Sequence, residues 1–131
     1  MIFFDTSAVY ALADRADPNY ATARERFSRI LRSGDRLLTH NYVLAESFAL
    51  LQHRLGLSSA VAFARSARAF EIEWIAEETH AVAVLRWSGG KRTLSFVDHM
   101  SFVVMERRGI EEAFAFDPDF ETAGFRLYRG V

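Results

Sequence analysis

MIFFDTSAVYAL, residues 1–12, carries a conflict within itself. Ile2, Phe3 and Phe4 form an unbroken apolar run of the kind found in strands buried on both faces. Asp5 follows at once, and a helix-like segment begins behind it. A carboxylate beside a core strand loses hydration, which is tolerated only where hydrogen-bond donors or a metal ion compensate. Asp5 is therefore expected to serve either as a helix cap or as a ligand.

The chain around this opening is 131 residues long and 50% hydrophobic, enough for one domain with a proper core and too little for two. Its net charge of -1 supplies no general basic field, so a nucleic-acid partner would have to be met by a local patch. Cysteine is absent, which removes disulfides and thiolate metal sites. No segment approaches the ~20 apolar residues of a membrane span, and the short apolar start lacks the basic flank of a leader. A soluble cytoplasmic protein is expected.

Further along, ADPNYATARERFSRILRSGD (16–35) places Asp17 as N-cap, Pro18 at the first helical position and Gly34 as stop. RLLTH (36–40) reads as a strand. NYVLAESFALLQHRLG (41–56) puts Leu44, Phe48, Leu51 and Leu55 on one helical stripe. SSAVAFARSARAF (58–70) reads as a helix, IEWIA (72–76) as a strand and EETHAVAVLRWSGG (77–90) as a helix running into glycines. SFVDHMSFVVMERRG (95–109) reads as another helix, EAFAFDPDF (112–120) as a strand breaking at a turn, and FRLYR (125–129) as a last strand. Short, almost continuously apolar strands alternating with helices predict an α/β fold, three layers with a short, mainly parallel sheet covered on both faces.

In such sheets ligands collect at the carboxyl ends of the strands. Asp5 and Asp117 both end apolar strands, while Glu46 and Asp98 lie inside helices on faces that are not plainly solvated: Tyr42 and Leu50 flank the first, Leu94, Phe102 and Met105 the second. Each acid has a plain structural reading as well. Asp5 before Thr6 and Ser7 fits an N-cap, Ser95-Phe-Val-Asp98 fits a capping box, Glu46 fits a half-exposed helix position, and Asp117-Pro118-Asp119 is ordinary turn composition. Brought together, however, several carboxylates raise one another's pKa unless a divalent cation neutralises them. With His40 and His99 read only as neighbours, the donors are all oxygens, which favours Mg²⁺ or Mn²⁺ and suggests phosphodiester hydrolysis.

FFDTSAV, NYVLAESFALL, FVDHMSF and AFAFDPDFETAGFRLY occur in an order and at spacings that resemble the PIN domain, in particular its small VapC-like toxins, over essentially the whole chain. The resemblance implies a metal-dependent endoribonuclease and toxin of a toxin–antitoxin pair. Asp5, Glu46, Asp98 and a fourth acid would hold one or two Mg²⁺ or Mn²⁺ ions. Asp117, which directly follows its strand, is assigned as the fourth, with Asp119 behind it. Ser7 matches the family's small hydroxyl residue, which would hydrogen-bond a ligand and orient it. Asp5 would then be held by helix-start amides and used by the metal. Lys91 and Arg92, in the flexible-looking SGGKRTLS (88–95), are the candidate contacts to RNA phosphates, or else a solvated loop. The resemblance also implies a homodimer and an antitoxin lying over the acids, for which the apolar residues of AVYALADR and AVAFARSARAF are candidate surfaces. Receiver-like and phosphatase-like readings fall behind, because Thr6 stands beside Asp5 where a receiver needs an acid and Ser7 stands where the phosphatase pattern needs a second aspartate. A non-catalytic PIN-like module that binds RNA or protein is the remaining alternative.

Overall fold

The computed structural model describes residues 1–130. Five strands, β1 (Ile2–Phe4), β2 (Leu37–His40), β3 (Glu71–Glu73), β4 (Glu112–Phe114) and β5 (Arg126–Leu127), form one sheet in the order β3-β2-β1-β4-β5, with every neighbouring pair parallel. Seven helices connect them: α1 (Thr6–Ala13), α2 (Tyr20–Ser33), α3 (Asn41–Leu55), α4 (Leu57–Ser66), α5 (Glu77–Ser88), α6 (Phe96–Arg108) and α7 (Asp119–Thr122). None is long and apolar enough to cross a membrane.

The period of two along β1 divides the interior. Ile2 and Phe4 join a core with Val9, Ala23, Ile30, Leu51 and Phe114, whereas Phe3 faces a second core with Leu38, Val43, Met100, Phe102 and Val104. The sheet is thus the middle of three layers. β1 is wholly buried, as its unbroken apolar run requires. α6 is buried from His99 through Met105, so this helix is enclosed rather than amphipathic.

Several boundaries differ from those expected. Asp17 does not cap α2: its side chain accepts the Asn19 amide (2.8 Å) and its carbonyl the Tyr20 amide (3.0 Å), closing a turn that holds Pro18, and the helix starts at Tyr20. Gly34 does end α2, in the left-handed region at φ 76°. α4 begins one residue early, at Leu57, and tightens into a 3₁₀ turn at Ala67–Ala69. The strand expected at 72–76 runs instead from Glu71 to Glu73, because the Ile75 amide is taken by the Asn41 side chain (2.7 Å) and Trp74 turns out to solvent. The turn expected after β4 contains the single-turn helix α7.

Candidate metal centre

The chain moves outward from β1 through β2 to β3, then returns to lay β4 on the other side of β1. The crevice at this reversal, beyond the carboxyl ends of β1 and β4, is where an open parallel sheet binds ligands. Asp5 follows β1 and Asp117 follows β4.

Asp5 is the N-cap of α1. Its Oδ2 accepts both the Ser7 amide (3.0 Å) and the Ser7 hydroxyl (2.6 Å), and Ser7 Oγ in turn accepts the Phe116 amide (2.9 Å). Ser7 therefore clamps Asp5 to the segment leaving β4. Burial pushes the Asp5 carboxyl up to about 6; the Ser7 bonds oppose the rise, and the nearby Asp98 and Glu46 charges add to it. Asp98 is the third residue of α6 and completes the capping box expected for it: Ser95 Oγ accepts the Asp98 amide (3.1 Å), and Asp98 Oδ2 accepts the Ser95 amide (3.0 Å). Capping does not exclude Asp98 from the acid cluster, since carboxylate oxygens of Asp98, Asp117 and Asp119 lie within 4.8 Å of one another.

Asp117 Oδ1 accepts the Asp119 amide (2.9 Å). Slight desolvation, then the charges of Asp117 and Asp98, push Asp119 upward, while Lys91 pulls it back. Glu46 is exposed on α3, yet desolvation of its carboxyl and the Asp98 charge push it up against a hydrogen bond from Thr6. The structure thus gathers Asp98, Asp117 and Asp119 most tightly, brings both candidates for the fourth acid to the cluster, and sets Asp5 and Glu46 within electrostatic reach of Asp98. Lys91 approaches Asp119; Arg92 is exposed and makes no ion pair among the described residues.

A divalent cation fits these residues. Eight acidic side chains elsewhere are ion-paired, but among the described residues none of Asp5, Glu46, Asp98, Asp117 and Asp119 is. Asp5, Asp98 and Asp117 each tie one oxygen to a backbone amide and, among the described residues, leave the other without a protein hydrogen bond. The set offers hard oxygen donors, as a divalent cation of the same hard character would need.

The uncompensated charge on Asp5 has a thermodynamic signature. Because its folded pKa lies above the ordinary 3.8, the native state binds more protons than the unfolded chain between those values, and stability falls as pH rises through that window. With metal chelated, Asp5→Asn is expected to stabilise the protein near pH 8 by up to about 3 kcal/mol, with the difference vanishing near pH 4. Denaturant melts at the two pH values check this; an Asp5→Asn protein less stable at both would show that the buried charge carries no cost.

Two supports escaped the sequence reading. His40, the last residue of β2, caps α3: its Nδ1 accepts the amides of Tyr42 (3.2 Å) and Val43 (3.3 Å). The ring hydrogen must then sit on Nε2, which donates to Ser101 Oγ (3.0 Å), and Ser101 donates to the Val97 carbonyl (3.0 Å). This buried chain locks the helix bearing Glu46 to the helix bearing Asp98. Thr6 Oγ1 accepts from Ser47 (3.2 Å) and ties α1 to α3. Histidine is not among the preferred cap residues, so nothing in the sequence marked His40.

With this geometry the class is defined. The chain belongs to the PIN domain family, which residues 2–126 match. It is similar to the 23S rRNA-specific endonuclease VapC20 of Mycobacterium tuberculosis, in strains CDC 1551 / Oshkosh and ATCC 25618 / H37Rv, with 37% identity over 132 residues and 95% of each chain covered. The crystal structure of M. tuberculosis VapC20, described as a sarcin–ricin loop cleaving toxin, matches with a TM-score of 0.84 at 36% identity, covering 95% of this chain and 96% of that one. The α/β architecture is the PIN fold.

Proposed function

We propose that the chain, residues 1–131 taken as one nuclease domain, is a divalent-metal-dependent endoribonuclease and the toxin of a toxin–antitoxin pair, cutting single-stranded or looped RNA. The observation that carries this reading is a set of five carboxylates at the switch point of a parallel sheet that, among the described residues, have no ion-pair partners. The 37% identity to VapC20 supports RNA as the substrate and makes the sarcin–ricin loop of 23S rRNA the first one to try.

In this reading Asp5, Glu46, Asp98 and Asp117 hold one or two Mg²⁺ or Mn²⁺ ions, with Asp119 as the alternative to Asp117. The bound metal would supply an activated water and offset charge on the phosphate. The chain's own residues prepare that chemistry. Ser7 and the amides of Ser7, Ser95 and Asp119 fix one oxygen of each tethered acid and hold the carboxylates in place for a ligand. Lys91, beside Asp119, meets the RNA backbone, which a chain of net charge -1 attracts only through such local cations.

An antitoxin segment and a second copy of the chain are the proposed protein partners. A groove of about 570 Å³ between α1, α2 and α4, lined by Val9, Leu12, Phe27, Phe63 and Phe70, supports an apolar antitoxin segment.

The test is cleavage of a labelled 23S rRNA fragment and of a mixed RNA pool by the partner-free protein, with Mn²⁺ or with EDTA. Cleavage with metal and none with EDTA is expected. RNA left intact under every metal overturns the proposal, and binding without cutting would favour the non-catalytic module. Ser7→Ala is expected to keep the fold but lower kcat/KM by about 10–100-fold, the usual cost of losing a group that orients a ligand; undiminished cleavage would show that Asp5 needs no clamp.

A further inference from the structure

His99 is the residue that neither the fold nor the acid cluster explains. It is 4% exposed, and among the described residues neither ring nitrogen has a hydrogen-bond partner. Burying two unsatisfied imidazole nitrogens is costly, and native structures rarely tolerate it without a use. The ring lies against the bare backbone of Gly90: a Cβ built there would stand 2.6 Å from His99 Nε2 and 2.7 Å from Cε1. Both belong to a cleft of about 430 Å³ between the loop 89–94, α6 and α7, which Leu94 and Phe102 line with apolar surface and Lys91 and Asp119 border with opposite charges.

Asp119 is shared between this cleft and the acid cluster, so the two adjoin. The volume suits a small planar ligand. An anion would meet Asp119, and a cation would meet Lys91 and Arg86, so a neutral polar ligand is favoured. An imidazole presents two ring nitrogens that donate or accept hydrogen bonds, the same vocabulary as a base edge. Single-stranded RNA is read by splaying bases out of the stack into such sites. Gly90 meets the imidazole with bare backbone and no side chain of its own.

We propose that this cleft is a nucleobase pocket: the base of a nucleotide flanking the scissile phosphate enters between the 89–94 loop and α6, and its edge takes up the free hydrogen-bonding positions of His99. The proposal rests on the ribonuclease reading of the neighbouring acids. It makes His99 a specificity-determining residue for the RNA.

The test is separable from catalysis. The side-chain signals of His99 and the amide of Gly90 are followed by NMR in EDTA while AMP, GMP, CMP, UMP and ribose 5-phosphate are titrated in turn. At least one nucleotide is expected to shift both signals saturably, while ribose 5-phosphate does not. Gly90→Ala, which drives a methyl group into the imidazole, should weaken that binding about tenfold or more. His99→Phe, which keeps a ring but removes both nitrogens, should do the same if Gly90→Ala fails to fold. In cleavage assays an abasic site at one position beside the cut should lower kcat/KM about tenfold for the wild type, and His99→Phe should erase that discrimination. Silence of His99 and Gly90 toward all four nucleotides, equal shifts with ribose 5-phosphate, or binding that survives both variants overturns the pocket, even if RNA is cut and the nuclease reading stands. Nucleotide binding at His99 by a protein that cuts no RNA would uphold the pocket and overturn the nuclease.

Discussion

Asp98→Asn is expected to lower kcat/KM for metal-dependent RNA cleavage by more than about 100-fold, because groups that only orient ligands already cost 10–100-fold when removed. The protein should stay folded. Asp98 has two tasks on its two oxygens: Oδ2 accepts the Ser95 amide and closes the capping box, and the carboxylate lies within 4.8 Å of Asp117 and Asp119. Asparagine keeps an oxygen for the Ser95 amide but carries no charge for a cation, so the substitution separates the tasks. Its stability should change by less than about 1 kcal/mol, whereas Asp98→Ala should also lose the cap, at about that cost. The measurements are cleavage of labelled RNA with Mn²⁺ and a denaturant melt on each variant. A folded Asp98→Asn protein that cuts as well as the wild type would reduce Asp98 to a cap and dismantle the proposed site.

Acid should unfold this protein through His40. Burial holds its pKa down at about 3, and Nδ1 is committed as an acceptor to two amides of α3, so the native state cannot take the proton that the unfolded chain takes near pH 6.5. A depressed histidine pKa means stability that is complete above the unfolded value and lost as pH falls toward the folded one. The loss amounts to about 2–3 kcal/mol near pH 4.5 and about 4–5 kcal/mol near pH 3, a large part of the 5–15 kcal/mol typical of a domain. Asp5 works in the opposite direction between its ordinary value and about 6, so the wild-type curve is the difference of the two. His40→Asn retains an oxygen to cap α3 but loses the bond to Ser101. It should be less stable than the wild type near pH 7 and lose less on acidification, so that the two curves converge or cross. Parallel curves would show that His40 does not titrate on unfolding.

The architecture was legible from β1 outward, because apolar runs too short for helices and punctuated by helical stripes leave few arrangements other than a covered parallel sheet. The acids were legible by position: Asp5 and Asp117 follow apolar runs, and Asp98 sits at the spacing of a capping box. What could not be read were contacts between distant segments. β3 ends early because Asn41, 34 positions away in sequence, captures the Ile75 amide. The proximity of Asp119 to Asp98 depends on a helix of one turn, too short to leave a periodic signal. His40 and His99 both passed for neighbours of the cluster. One proved to be a cap and the other an orphan, and burial and hydrogen-bond partners distinguish them where composition cannot.

The hydrogen bond from the Phe116 amide to Ser7 Oγ joins residues 109 positions apart. Asp5 acquires its clamp only when β4 has paired with β1, and Asp117 and Asp119 arrive with that same strand. A nascent chain that still lacks β4 carries Asp5, Glu46 and Asp98 but no assembled centre. On the proposed activity, the ribosome that makes this protein is therefore exposed to a nuclease only after β4 has been translated and paired, which leaves an antitoxin that interval of synthesis and folding in which to be present.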